Sequence, residues 1–145
     1  MCRLHSFLFL ALLVACSNEN DSSVKDDSGG PGADANGCLL IMKERDEDGD
    51  GTVDSRDAYT YDSDGNMLTN KHDRDGDGAV DWSMTYTYDS DGNELTVEWD
   101  NDGDGTVDQR DTHTYDADGN MLTWEWDYDV DGTVDRRYTY TWDCP

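Results

Sequence analysis

The chain has 145 residues, room for one domain, and sets 10 Lys plus Arg against 35 Asp plus Glu for a formal charge of −25. Phosphate would repel such a chain, so nucleic acid and anionic membrane surfaces are excluded as charge-driven partners. Aromatic residues make up 10% of it and 5 are Trp, too many for a wholly unfolded acidic tail; a fold that depends on cations reconciles the two.

Arg3 and His5 precede an apolar run from Phe7 to Ala15. The run is too short to span a bilayer and reads as an export signal over residues 1–15. Its end, Leu13, Val14, Ala15 and Cys16, resembles the lipobox of bacterial lipoproteins. The resemblance implies cleavage before Cys16, acylation of its thiol and new amino group, and insertion into a lipid membrane through that anchor. Ser17 beside it implies sorting to the bacterial outer membrane, with the periplasmic or outer side left open. An ordinary signal peptide with an incidental Cys is the alternative. Residues 17–37 contain no hydrophobe larger than Val. They cannot repay the entropy of ordering, so residues 16–37 are expected to be a lipidated Cys and a flexible tether.

From residue 38 to 145 the sequence repeats with a period of 27. The acidic stretch "DEDGDGTVD" at Asp46 returns at Asp73, Asp100 and Asp127, and "CLLIMKER" before it matches the tail of a unit, with Ile41 in the column of Leu68, Leu95 and Leu122. Fixed-period self-similarity of this kind marks a repeat architecture. Within a unit the apolar period is two. Val80, Trp82, Met84, Tyr86 and Tyr88 share one face, and Asp81, Ser83, Thr85 and Thr87 the other. Leu95, Val97 and Trp99 then alternate with Glu94, Thr96 and Glu98. Both patterns predict half-buried strands rich in Tyr and Thr.

The strands of a unit are joined by "YDSDGN", where Asp62 opens a turn and Gly65 supplies positive φ; Gly92 and Gly119 repeat the device. Each unit is therefore a hairpin and each acidic segment the loop to the next. The domain over 38–145 is expected to be all-β, an eight-stranded antiparallel meander of 27-residue hairpin repeats. Tyr61, Asp62, Gly65 and Leu68, with their counterparts Tyr88, Asp89, Gly92, Leu95 and Tyr115, Asp116, Gly119, Leu122, resemble the YD repeats of bacterial Rhs-type proteins. Those proteins roll long sheets into shells. This chain is too short for a shell and inserts an acidic loop in every unit, so the encapsulating role is not carried over.

The acidic segments place Asp at positions 1, 3, 5 and 9. A hard cation of calcium's size takes six to eight oxygens at about 2.3–2.6 Å. Alternate residues of a curled loop point inward, a Gly at position 6 permits the bend, and the position-7 carbonyl adds an oxygen. The candidate ligands are Asp46, Asp48, Asp50, the Thr52 carbonyl and Asp54 in the first loop; Asp73, Asp75, Asp77, the Ala79 carbonyl and Asp81 in the second. The third offers Asp100, Asp102, Asp104, the Thr106 carbonyl and Asp108, and the fourth Asp127, Asp129, Asp131, the Thr133 carbonyl and Asp135. The spacing resembles the calcium loops of EF-hands, dockerins and thrombospondin type 3 repeats. Position 12, a bidentate Glu in an EF-hand, is Asp57, Met84, Asp111 or Tyr138. A strand would carry that residue about 10 Å past position 9, so Asp57 and Asp111 are not expected to chelate. Up to four weak calcium ions are expected, in the extracellular range of about 10⁻⁴–10⁻³ M. His72 and His113 read as strand residues facing neighbours.

Cys38 and Cys144 bracket the strands. A sheet closed into a barrel would bring them within reach of a disulfide, whereas a flat one would hold them about 33 Å apart. No nucleophile–base arrangement or phosphate loop is present, so no enzymatic activity is expected. The expectation is a calcium-stabilised structural or adhesive module on the bacterial envelope. The alternative is a surface lipoprotein that binds a glycan or another envelope protein through exposed Tyr and Trp.

Overall fold

The computed structural model describes residues 37–143. The lipobox Cys16, the tether through residue 36 and Cys144 lie outside the described residues. Eight strands follow in order: β1 (Met42–Arg45), β2 (Ser55–Tyr61), β3 (Met67–Asp73), β4 (Trp82–Tyr88), β5 (Glu94–Asp100), β6 (Gln109–Tyr115), β7 (Met121–Asp127) and β8 (Arg136–Thr139). They pair in chain order as one antiparallel sheet, and the expected meander is what forms. The acidic loops join β1 to β2, β3 to β4, β5 to β6 and β7 to β8. They therefore share one end of the sheet, while the YD turns share the other.

The sheet is open. Among the described residues β1 pairs only with β2, and β8 only with β7. The barrel suggested by the flanking cysteines does not form, and a pairing of Cys38 with Cys144 falls outside the described residues. An eight-stranded barrel must fill its interior with side chains. The face that would turn inward carries Asp57, His72, Asp111 and His113 among its rings; on the open sheet His72 is half-buried and the other three are already buried. No second layer is seen among the described residues either. Tyr59 and Val97 are their only buried hydrophobic residues, and no described side chain is fully enclosed.

Cohesion therefore comes from strand pairing and cross-strand side chains, each such pair worth roughly 0.2–1 kcal/mol. On one face Thr60–Thr69, Thr87–Thr96 and Thr114–Thr123 share hydroxyl hydrogen bonds, each 2.7 Å long. On the same face Arg56 bridges Glu44 at 2.9 Å and Asp73 at 3.4 Å, Arg110 reaches Glu98 at 2.7 Å, and Arg137 reaches Glu125 at 2.6 Å. The opposite face stacks Trp124 on Trp126 with centroids 4.3 Å apart, and holds the His72 imidazole beside Trp82.

Two devices lock the turn end. Asp62 accepts from the Asn66 amide at 2.9 Å and from its side-chain Nδ2 at 3.0 Å, and Asp89–Asn93 and Asp116–Asn120 repeat the clamp. The ladder slips by a bulge just before each clamp, between Thr60 and Tyr61, Thr87 and Tyr88, and Thr114 and Tyr115. Gly65 takes φ 90° to complete the turn. The second device ties one unit to the one before it. The hydroxyls of Tyr61, Tyr88 and Tyr115 donate to the carbonyls of Leu40, Met67 and Glu94, each at 2.9 Å and 21 residues back. Trp142 stands one period on from Tyr115, and its indole Nε1 donates to Met121 O at 2.7 Å, also 21 residues back.

Both devices titrate. Hydrogen bonds from Asn66, Asn93 and Asn120 hold Asp62, Asp89 and Asp116 below the ordinary carboxylate value. Their contribution is present above the unfolded value of about 4 and lost as pH falls through the depressed folded values. Burial, then Glu94, pushes the Tyr88 phenol up to about 12. Its contribution is present below the unfolded value of about 10 and lost as pH rises toward 12. Thermal melts should show a drop on each side, and Tyr88→Phe should reduce the alkaline drop relative to its own melt at pH 8. An unchanged alkaline limb in Tyr88→Phe would remove the ladder from the stability of the sheet.

Candidate metal centres

Each acidic loop closes through its ninth residue. The amides of Asp54, Asp81, Asp108 and Asp135 donate to Arg45, His72, Trp99 and Trp126 carbonyls at 2.7–2.8 Å. The same aspartates then reach back: Asp54 Oδ2 accepts from the Glu47 amide at 2.6 Å and Asp108 Oδ2 from the Asn101 amide at 2.7 Å. Asp81 and Asp135 do likewise with Arg74 and Tyr128. Position 5 folds onto its own loop. Asp50, Asp77, Asp104 and Asp131 accept from the amides of Thr52, Ala79, Thr106 and Thr133, which are the position-7 residues.

Three carboxylates converge in every loop. Asp73, Asp75 and Asp81 offer oxygens that all lie within 4.8 Å of one another, as do Asp100, Asp102 and Asp108, and Asp127, Asp129 and Asp135. In the first loop the trio is Asp46, Asp48 and Asp50. Two oxygens on opposite sides of a calcium ion stand about 4.8 Å apart, so one ion could touch all three. The structure thus gathers positions 1, 3 and 9 in three loops and positions 1, 3 and 5 in the first. Asp54, Asp77, Asp104 and Asp131 lie outside the trios, although the sequence pattern treats all four positions alike.

Position 1 fits a cation best in the second loop. Asp73 ends β3, with only 6% of its surface exposed. Its Oδ2 accepts from the Gly78 amide at 2.9 Å, while its Oδ1 is buried without a hydrogen-bond partner. Asp127 Oδ1, at the end of β7, is likewise buried and without a partner. Leaving a buried carboxylate oxygen unsatisfied is costly, and a cation would satisfy it. In the first and third loops that oxygen is already bonded, Asp46 Oδ1 to the Gly49 amide at 2.7 Å and Asp100 Oδ1 to the Gly103 amide at 2.8 Å.

The loops also stack. A Cβ on Gly76 would come within 1.9 Å of the Val53 carbonyl oxygen, and one on Gly103 within 1.9 Å of the Val80 carbonyl oxygen. Consecutive loops are two strand steps apart, about 10 Å. That is close to the screening length of physiological salt, so neighbouring acidic clusters repel across the stack.

Asp57 and Asp111, the position-12 acids of their loops, stand apart from the trios. Asp57 is buried on β2, with Oδ1 2.7 Å from His72 Nδ1 and Oδ2 3.3 Å from Arg45. Asp111 accepts from Gln109 Nε2 at 3.0 Å and Trp124 Nε1 at 3.3 Å. His113 is buried beside Trp124, with Nδ1 3.4 Å from Glu94 Oε1. Both histidines thus face strand neighbours, as their isolation in the sequence suggests. The Asp57–His72 pair escaped sequence reading because it needs the β2–β3 register, and the Tyr ladder escaped it because its acceptors are the main-chain carbonyls of unlike residues, Leu40, Met67 and Glu94.

No family model matches this chain, and a search of curated proteins returned no match.

The fourth loop breaks one rule of the other three. Where they place Gly49, Gly76 and Gly103 at φ 72–76°, it places Val130 at φ 55°. A β-branched residue there costs roughly 1–3 kcal/mol, and glycine gives back about 0.5–1 kcal/mol through the flexibility of the unfolded chain. Val130→Gly should therefore raise the urea-unfolding free energy by about 1 kcal/mol. A loss of stability would mean that packing of the Val130 side chain outweighs its backbone strain.

Proposed function

We propose that this chain is a calcium-stabilised structural or adhesive β-sheet module, held on the bacterial outer membrane by a lipid on Cys16. The observation that carries the cation reading is the second loop: Asp73, Asp75 and Asp81 converge within 4.8 Å around a buried Asp73 oxygen that has no hydrogen-bond partner. The same convergence in four loops at one end of a sheet that has no second layer among the described residues gives cations a purpose. They would cancel repulsion along the stack and hold the strand ends in register. The bound ions would contribute to stability by mass action, and several weak sites can sum to several kcal/mol.

A second reading has its own support. The aromatic face is uncovered among the described residues and holds a shallow hollow of about 260 Å³, lined by Arg74, Trp82, Met84, Trp99 and Asn101. Flat rings beside polar groups suit a glycan or a partner protein. Full ligand binding in chelator would favour this reading over the structural one.

The domain should melt markedly later in millimolar calcium than in chelator, with magnesium a poor substitute because it demands a tighter octahedral shell. Asp73→Ala or Asp100→Ala should remove part of the gain, and calorimetric titration should approach four ions. An unchanged melting temperature with no calcium heat would reduce the loops to solvated surface.

The anchor rests on Leu13, Val14, Ala15 and Cys16. Intact-mass analysis of membrane-extracted protein should show loss of residues 1–15 and added acyl chains; cleavage elsewhere without lipid would remove the anchor.

A further inference from the structure

We propose that the two free edges of the sheet are complementary, so that β8 of one copy pairs with β1 of the next and copies join head to tail. In the repeat, β1 is the counterpart of β3, β5 and β7, and β8 that of β2, β4 and β6. The strands of a β2–β3 hairpin align six residue pairs, against four between β3 and β4. Each free edge is one side of that longer junction. All residues of β1 and β8 are exposed, and among the described residues nothing pairs with their outer sides.

Charge agrees with this register. Carrying the β2–β3 alignment forward sets Arg137 opposite Asp46 of the next copy, as Arg56 stands opposite Asp73 and Arg110 opposite Asp127. Arg56 is bridged on both flanks, by Glu44 and Asp73, whereas the described partners of Arg137 include a carboxylate only on the β7 side, Glu125. The same alignment lays Tyr140 against Lys43, a cation beside a ring.

The acidic loops agree independently. Gly76 and Gly103 each pack against the carbonyl of the preceding loop, at Val53 and Val80, but a Cβ on Gly49 would meet nothing within 4 Å. At the other end Val134, the counterpart of Val53 and Val80, is exposed at 40% where those two are half-buried. A next copy would set its Gly49 on this Val134. The contact is heterologous, with different surfaces on the two partners, so it propagates unless the rotation closes a ring. The strand pairing itself needs no ion at the edge, and Asp46 would serve both Arg137 and the first acidic trio, as Asp73 serves both Arg56 and the second.

The test uses the full mature chain in buoyancy-matched detergent, with calcium and reductant, followed by sedimentation. Reductant separates edge pairing from any cysteine link. The wild type should grow beyond dimers as concentration rises. The Tyr140 amide donates to Leu122 O on β7, so by strand alternation the Thr139 amide points to the free edge. Thr139→Pro should then block β8 and spare its pairing with β7; Met42→Pro should block β1. Each variant alone should be monomeric, and an equimolar mixture should give a one-to-one dimer through the edge each retains. Arg137→Glu, which leaves the β8 backbone intact, should weaken the wild-type assembly at least about tenfold. A wild type that stays monomeric at all concentrations would overturn the proposal. So would either blocked variant still pairing with itself, or an Arg137→Glu chain that assembles as the wild type does.

Discussion

Main-chain pairing between neighbouring strands is the interaction on which everything else in this protein rests. A usual domain buries one face of a sheet beneath a second layer. Here the described residues form one layer, and their buried hydrophobic side chains are Tyr59 and Val97. Stability must then be close to a sum of nearest-neighbour terms, as in other repeat proteins. Each of the three complete units adds a threonine pair, a clamped turn and a tyrosine reaching back to the unit before, and Arg56 and Arg110 add ion pairs in the first and third. None of these is large alone, and their regular recurrence substitutes for a core.

Electrostatics sets the opposite demand. Of the 35 Asp plus Glu, 17 lie at one end of the sheet, in four loops of which the first three touch through Gly76 and Gly103. The backbone amides inside each loop meet part of the demand, since the aspartates at positions 1, 3, 5 and 9 all accept from them. Amides carry only partial positive charge, so the remaining repulsion must be met by salt or by bound cations. The turn end carries no such burden. Each turn has two aspartates, and the first of them, Asp62, Asp89 or Asp116, is clamped by an asparagine and holds its proton less readily than an ordinary carboxylate for that reason.

Much of the fold could be read along the chain, because period two and period 27 are both properties of sequence. Alternation placed Tyr59 and Trp82 on one face and Thr60 and Thr85 on the other, and Gly65, Gly92 and Gly119 marked the turns. What escaped needed the register. His72 meets Asp57 only because the bulge-and-clamp turn sets residue 57 opposite residue 72. Barrel closure depends on how the strands coil and stagger, which no periodicity encodes. The acidic loops were legible as candidate ligands. The choice of Asp81 over Asp77 for the second trio was not, because positions 5 and 9 carry the same residue in every loop and the first loop uses Asp50 instead.

The tyrosine ladder has a mechanical consequence. A load applied across the sheet, between β1 and β8, meets the strand junctions in series, so the weakest yields first while the others hold. Each 27-residue unit that peels away releases about 90 Å of chain, and the next unit is still fastened by its own hydroxyl. Such a sheet lengthens in steps under tension and can re-zip from whichever end remains paired, where a domain with one shared core would rupture as a whole.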